Sequence, residues 1–329
     1  MLAGIAAAAS AVAGCTGSKD DTGPAVKVTL LTSYGVRGRD AYVYVARERG
    51  YLRAAGFNAS IEAGGDLAAN LKRVAGSAGV FAPLDLTGCL LAAGRAGGPI
   101  GVTIVAAIHQ RTTAAILAPG GGGIAGPRDL AGRAIGDLPG STVRDLFPTY
   151  ARLAEIDAAR VRWVGTTPQS LPGELAAGRI AGVGESVVGR GLIESATRGR
   201  TAVVLAYSDH LQDLYGDGLA TSTAYAQARP DRVRRFTAAL LHGLADAIDD
   251  PAAAGAIMHK YVPAVSPEAA TAELALLTPY VRSAAAGIPV GALDVDRVAR
   301  SIAVLQGTAQ IPPGLTPDQL MNPALAPGA

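Results

Sequence analysis

The side chains best suited to bind a small molecule lie in short loops, each at the end of an apolar strand-like segment or before a helix-like one. In an open α/β sheet such loops meet at the carboxyl ends of the strands, where free N–H groups at helix starts favour anions and polar heteroatoms. A ligand is therefore expected to contact six loops: 34–40, 64–66, 81–85, 109–111, 137–142 and 185–186.

The first of these loops combines aromatic and cationic side chains. Tyr34 and Tyr42 could form an aromatic wall, and Arg37 or Arg39 could supply a positive charge. The alternative is a solvated loop with half-buried tyrosines. Asp40 is expected to cap the helix that follows instead of contacting a ligand.

Hydroxyl, carboxyl and imidazole groups follow in later loops. Ser141 and Thr142 precede a helix-like segment, so their hydroxyls could cap that helix or bind a ligand. Glu185 ends a strand and could accept hydrogen bonds from a ligand amine, although Glu194 competes for this role. His109 ends the fourth strand, where it could contact a ligand or act as a hydrogen-bonded hinge residue.

Motifs of enzymes and metal sites are incomplete in this chain. The four histidines lack the spacing of metal ligands, and no metal or cofactor is predicted. Residues 184–188 begin like a nucleophile elbow but lack its final glycine, and the glycine run 120–123 lacks the Lys-Ser/Thr of a phosphate-binding loop. Cys89 lies in an apolar segment and is expected to be a buried small hydrophobic residue.

Strand-like and helix-like segments alternate along the chain, a pattern typical of an α/β fold. A first block begins at Val26, a second covers residues 133–206, and helices dominate after Pro230. Two lobes with a C-terminal helical extension are therefore expected, the chain leaving the first lobe and later returning to it. The expected boundaries are 26–112 plus 222–329 for lobe 1 and 113–221 for lobe 2.

The first residues carry the pattern of an export signal. Residues 1–13 are almost entirely small and apolar, and Val12-Ala13-Gly14-Cys15 is followed by a polar stretch. This resembles the lipobox of bacterial lipoproteins, which implies a signal peptide over 1–14, a lipid on Cys15 and a flexible tether over 15–25. The alternative is an ordinary apolar terminus, because no Lys or Arg precedes Cys15.

Composition limits the classes of partner. A chain of 329 residues with 49% hydrophobic content is long enough for two domains with large cores. The net charge of +2 argues against nucleic acid as a partner, because such proteins carry a concentrated basic face. After the leader, no apolar run is long enough to span a bilayer.

Several segments resemble the substrate-binding proteins of ABC transporters, in the group that handles alkanesulfonates, taurine and the pyrimidine precursor of thiamine. The helix-like segment 41–52 leads through Gly56-Phe57 to Gly64-Gly65, as in that family. Residues 130–136 and 175–182 follow its later motifs, with Ala181 where the family usually has Asp. The resemblance extends over about residues 26–262.

The resemblance implies a type II periplasmic-binding fold, in which two α/β lobes close on a ligand about hinge strands. The hinge crossings would lie near 111–113 and 220–223. It also implies that Phe81, Pro83 and Asp85 line the cleft, with Phe81 either stacked on a ligand ring or buried in the core. In the second lobe it implies a ligand-facing turn at Ser141 and a ligand-binding Glu, for which Glu185 is the candidate.

The function implied is that of a monomeric extracytoplasmic lipoprotein, anchored in the cell membrane, that captures a small organic nutrient and delivers it to an ABC permease. Glu185 and the aromatic residues favour a thiamine pyrimidine precursor or a similar heterocycle. Arg37, Arg39 and Ser141 favour a sulfonate or a carboxylate, and a riboflavin-like ligand is a further alternative. A cytoplasmic cofactor-biosynthesis enzyme on the same fold is the alternative of a different class.

Overall fold

The computed structural model describes residues 24–285 and 287–326. The expected signal peptide, Cys15 and most of the expected tether lie outside the described residues. Within them the chain forms ten strands and twelve α-helices. The strands are β1 (Val26–Leu31), β2 (Phe57–Glu62), β3 (Val80–Asp85), β4 (Val102–Ala107), β5 (Ala114–Pro119), β6 (Ala134–Asp137), β7 (Arg162–Gly165), β8 (Gly182–Ser186), β9 (Ala202–Ala206) and β10 (Asp217–Ser222).

The helices surround both faces of the sheets and dominate the last third of the chain. They are α1 (Ala41–Glu48), α2 (Tyr51–Ala54), α3 (Leu67–Ala75), α4 (Leu86–Ala96), α5 (Thr142–Leu153), α6 (Leu171–Ala176), α7 (Arg190–Ala196), α8 (Thr223–Ala228), α9 (Pro230–Asp249), α10 (Pro251–Tyr261), α11 (Pro267–Val281) and α12 (Val295–Gly307). Helices α9 to α12 form the predicted C-terminal helical extension.

Two five-stranded sheets with the same topology form the two lobes. The first has the order β2-β1-β3-β10-β4 and the second the order β7-β6-β8-β5-β9. In each sheet four strands run in the same direction, and one strand, β10 or β5, lies antiparallel between its neighbours. Strands β4 and β5 are buried along their whole length, as expected for strands covered on both faces.

The position of β10 corrects one predicted boundary. Its antiparallel pairing with β3 and β4 places residues 217–222 in the first sheet, although they were mostly assigned to the second lobe. The second crossing between the sheets is therefore 207–216, not 220–223, whereas the first crossing is 108–113, close to the prediction. The sequence did not reveal this pairing, because the partner strands of β10 lie more than 100 residues earlier in the chain.

Helix α12 holds both crossings together through Arg297. Its guanidinium donates to the backbone carbonyl oxygens of Asp213 (3.0 Å), Gln212 (2.9 Å) and Gln110. Its Cζ also lies 4.1 Å from the centre of the Tyr215 ring. One side chain of the C-terminal extension therefore fixes two chain segments that connect the lobes.

The C-terminal segment also covers the outer edge of the first sheet. The backbone N–H of Ile104 in β4 donates to the carbonyl of Leu320 (2.8 Å), and the N–H of Asn322 donates back to Ile104 (2.9 Å). Pairing of this kind protects a strand edge from other chains. No helix in the described parts of the chain has the length and hydropathy needed to cross a bilayer.

Candidate functional site

The carboxyl ends of the parallel strands in the two sheets face each other across a narrow cleft. A Cβ placed on Gly88, in the first turn of α4, would lie 2.8 Å from Thr142 Oγ1 of the second lobe and 3.2 Å from Asp85 Oδ1 of the first. An ion pair between Arg95 of α4 and Asp145 of α5 (2.6 Å) also joins the lobes. The structure is therefore that of a closed cleft, and the two helix starts approach each other closely.

Tyr34 stands at the mouth of the cleft on a backbone turn after β1. Its φ is +54°, an unusual conformation for a residue with a side chain, and its N–H donates to the carbonyl of Gly65 (2.9 Å). The side chain is 39% exposed. Burial, followed by the charges of the nearby carboxylates, raises the pKa of Tyr34 to about 12. Tyr34 therefore lies near carboxyl groups of both lobes, and its contact with a ligand stays a prediction.

The charges of four carboxyl groups, two from each lobe, act on Tyr34. They are Asp66 and Asp85 of the first lobe and Asp137 and Glu185 of the second. Asp66 and Asp85 each cap a helix, accepting from the N–H groups of Ala69 (2.8 Å) and Gly88 (2.5 Å). No three His, Cys, Asp or Glu side chains in 24–285 and 287–326 are grouped as metal ligands.

Two of these carboxyl groups have pKa values near neutral pH. Burial, reinforced by the charge of Asp217, raises the pKa of Asp85 to about 7, against the opposing hydrogen bond from Gly88. Burial also raises the pKa of Asp137 to about 7, against the N–H of Leu138. Both groups therefore exchange protons near neutral pH, which lets them donate or accept hydrogen bonds.

The two arginines of the first loop have different surroundings. The guanidinium of Arg39 donates to the carbonyl of Ser33 (2.9 Å), and its backbone N–H donates to Glu273 of α11 (2.9 Å). Arg37 is exposed, and its Nε reaches the carbonyl of Tyr34 at 3.5 Å. The carboxylate of Asp40 accepts the N–H of Arg37 (2.9 Å) instead of capping α1.

Tyr42 and Phe81 are both buried in the core, which corrects the predicted aromatic wall of Tyr34 and Tyr42 and fits the core alternative for Phe81. Phe81 is fully buried in the core of the first lobe, stacked on Phe236 with ring centres 4.1 Å apart. Tyr42 is 4% exposed in the same core, and its hydroxyl has no partner among the described residues. The ring of Phe81 packs against Tyr225 of α8 and Phe236 of α9, so it does not present a face to the cleft.

A small cavity lies beneath the cleft inside the first lobe. Its volume is about 10 Å³, about the size of one water molecule. Pro83, in the middle of β3, is one of the residues that line this cavity. Its carbonyl oxygen accepts a hydrogen bond from the Ser33 hydroxyl (3.2 Å). Pro83 therefore supports the first loop through its carbonyl oxygen, and its contact with a ligand stays a prediction. The polar groups that line the cavity are those of Ser33, Arg39, Asp40, Tyr42, His109 and Asp217.

His109 belongs to the first crossing between the lobes. It is 6% exposed, and burial lowers the pKa of its imidazole. Its Nδ1 accepts the N–H of Asp217 (3.3 Å), which places the proton of the neutral ring on Nε2. This arrangement fits the hydrogen-bonded hinge residue that was one of the two sequence alternatives.

The hydroxyl and carboxyl candidates of the second lobe lie at the cleft. Ser141 Oγ caps α5 by accepting the N–H of Val143 (3.1 Å), while Thr142 Oγ1 faces Gly88 across the cleft. Glu185 is half-buried at the end of β8 and accepts the N–H of Ser186 (2.9 Å). Its competitor Glu194 is exposed on α7, away from the strand ends.

Asp66 and Asp137 lie in loops that were expected to contact a ligand, but neither residue was itself predicted as a ligand contact. A position at or next to the end of a parallel strand could have indicated such carboxyl groups. It is shared by Asp85, Asp137 and Glu185. Cys89 is buried as expected, and burial raises the pKa of its thiol well above its ordinary value. A thiol of this kind is a poor nucleophile.

Comparisons with known structures confirm the predicted fold. The alkanesulfonate-binding protein SsuA from Xanthomonas axonopodis pv. citri, bound to MOPS, superimposes with a TM-score of 0.69, 15% identity and coverage of 90% of this chain and 98% of SsuA. The desulfurization enzyme DSZB superimposes with a TM-score of 0.60, 18% identity and coverage of 91% and 97%. The same two-lobed fold therefore occurs in a binding protein and in an enzyme.

Sequence comparisons identify the family. The riboflavin-binding protein RibY from Chloroflexus aurantiacus is 29% identical over 244 residues, which cover 72% of this chain and 67% of RibY. Residues 39–254, well over half of the chain, match the family described as NMT1/THI5 like. This segment contains both sheets except β1, and all of the carboxyl groups at the cleft. The protein belongs to the NMT1/THI5-like family.

Proposed function

We propose that the protein is the substrate-binding component of an ABC importer and that it captures a small neutral heterocycle outside the cytoplasm. The observation that supports this most directly is the convergence of side chains from two lobes on one cleft: Tyr34 and Asp85 from the first, Asp137 and Glu185 from the second. Two lobes joined by two crossings can close on a ligand that contacts both. The role of SsuA and RibY as binding proteins agrees with this proposal.

The charge of the cleft favours a heterocycle over a sulfonate. The charges of four carboxyl groups act on Tyr34, whereas the guanidinium of Arg39 already donates to the carbonyl of Ser33 and that of Arg37 to the carbonyl of Tyr34. A sulfonate would be repelled by these carboxylates and needs hydrogen-bond donors. A ring with N–H or NH₂ groups, such as an aminopyrimidine or a flavin, instead supplies the donors that carboxylates accept.

The direct test is calorimetry with three ligand classes: riboflavin, an aminopyrimidine and an alkanesulfonate. We expect one of the two heterocycles to bind, and mass spectrometry to recover it unchanged, as a carrier requires and an enzyme does not. The variant Glu185→Gln should weaken heterocycle binding by about tenfold, because it removes the charge that strengthens the hydrogen bond to a ligand N–H.

Glu194→Gln is the matched control, since Glu194 is exposed on α7 and should leave the affinity unchanged. Tight binding of the sulfonate, with no effect of Glu185→Gln, would contradict the heterocycle proposal. Chemical conversion of a bound heterocycle would favour the alternative of a cofactor-biosynthesis enzyme.

We further propose that Cys15 is lipidated and anchors the protein to the membrane, with an ABC permease as its partner. The sequence Val12-Ala13-Gly14-Cys15 supports this, together with the polar stretch that follows it.

Mass spectrometry of protein from the native membrane should find a diacylated peptide that begins at Cys15, and Cys15→Ser should release the protein from the membrane fraction. Cys89→Ser, at the buried cysteine, should leave the membrane fraction unchanged. Recovery of the full-length, unmodified chain from the cytosol would contradict the proposal.

A further inference from the structure

Asp137 is the most deeply buried of the four carboxyl groups at the cleft. It is the last residue of β6 and is 1% exposed. Its Oδ1 accepts the N–H of Leu138 (2.7 Å), whereas its Oδ2 is buried and has no hydrogen-bond partner among the described residues. A buried polar atom without a partner is costly, so Oδ2 is a position where a ligand atom would be stabilising.

The neighbouring strand leaves room for this carboxyl. Gly136 of β6 pairs with Val183 of β8, so Asp137 and Gly184 are the next residues along the two parallel strands. A Cβ on Gly184 would lie 2.6 Å from Asp137 Oδ2, closer than any side chain permits. The residue after Gly184 is Glu185, whose negative charge also acts on Asp137.

The charged and titratable groups that face Asp137 come from four elements. Glu185 of β8 opposes its ionisation and Arg144 of α5 favours it, while Tyr34 and Tyr207 approach from the first loop and from the residue after β9. Burial outweighs the hydrogen bonds from the Leu138 N–H and the Ser141 hydroxyl, as well as the charge of Arg144, and holds the pKa of Asp137 near 7. At neutral pH a substantial fraction of Asp137 is therefore a carboxylic acid that can donate a hydrogen bond.

We propose that Asp137 recognises the ligand as a neutral acid, with Oδ2–H donating to a ring nitrogen or ring carbonyl oxygen, while Glu185 accepts an N–H beside that acceptor. The two groups would then recognise an edge that carries an acceptor and a donor side by side. Aminopyrimidines, lactams and the imide edge of a flavin have such an edge, whereas a sulfonate has no donor to offer. This inference rests on the proposed function and specifies the class of ligand.

The test is the pH dependence of heterocycle binding, measured with riboflavin and an aminopyrimidine between pH 5.5 and 8.5 by calorimetry. Wild-type affinity should be constant below pH 7 and fall by up to about tenfold per pH unit above it, because the donating proton is lost. At pH 8.5, binding should take up close to one proton, detectable as a heat that depends on the ionisation enthalpy of the buffer.

Three variants separate recognition from folding. Asp137→Asn keeps a donor in its NH₂ group, so it should bind at pH 6 within a few-fold of wild type and lose both the pH dependence and the proton uptake. Asp137→Ala, whose folding is checked by thermal unfolding, should bind about tenfold or more weakly at pH 6. Asp231→Asn, at a side chain that is 87% exposed, should retain the wild-type pH profile.

The outcomes are distinct. Heterocycle binding that does not depend on pH, or an Asp137→Asn variant that keeps the wild-type profile, would overturn this inference and leave the proposed function standing. Failure of every heterocycle to bind would overturn both. Binding of the heterocycle with proton uptake in wild type, but not in Asp137→Asn, supports the inference.

Discussion

Replacing Arg297 by methionine is expected to lower the free energy of unfolding by about 2–4 kcal/mol. The guanidinium donates to carbonyl oxygens in both segments that connect the lobes, at Gln110 and at Gln212 and Asp213, and it packs on the ring of Tyr215. Hydrogen bonds from a charged donor are stronger than neutral ones. Methionine keeps most of the apolar length of the side chain but supplies no donor.

Urea denaturation followed by circular dichroism measures this effect. Arg300→Met is the matched control, because Arg300 is one turn further along α12 and its side chain, 54% exposed, makes a single ion pair with Asp213. The control should leave the urea midpoint almost unchanged. Equal midpoints for the two variants would show that Arg297 does not clamp the crossings.

Replacing Gly243 by valine is expected to destabilise the protein by roughly 3 kcal/mol or more. Gly243 lies where α9 crosses α1, and its Cβ would stand 2.5 Å from the Cβ of Ala46 and 2.7 Å from the carbonyl oxygen of Tyr42. The second contact is with backbone, so it cannot be relieved by rotating a side chain. The two helices would have to separate, which opens the core of the first lobe.

Thermal unfolding compares this variant with Gly191→Val. Gly191 is an exposed helical glycine in α7, where an added Cβ meets no atom within 4 Å. Since valine has a better helix propensity than glycine, the control should be neutral or slightly stabilising. A Gly243→Val protein as stable as the wild type would show that α1 and α9 leave room for a side chain at position 243.

Local features of the fold could be predicted from sequence. Helices dominate after Pro230 as predicted, and α9, α10 and α11 begin at Pro230, Pro251 and Pro267, because proline at the first helical position and a polar residue before it act within a few residues. Helix α3 likewise begins after Asp66, whose side chain caps it. The six loops at the strand ends were selected by topology alone, and four of them supply the carboxyl groups of the cleft.

The orientation of individual side chains could not be predicted in the same way. In β3, all residues from Val80 to Leu84 are buried, so no alternation of polar and apolar residues shows that Phe81 faces the helices. The burial of Asp137 depends on Gly184, 47 positions later in the chain. Such long-range relations decide which side chains reach the cleft, and a single sequence does not display them.

The position of β10 in the first sheet has a consequence for the order in which the lobes can fold. All strands of the second sheet lie within residues 114–206, so that sheet can be completed as soon as this stretch is available. The first sheet stays divided, with β4 separated from β3, until β10 inserts between them. Contacts that close long stretches of chain carry a greater entropic cost and form late. During synthesis, the lobe that appears second in the sequence can therefore be finished first.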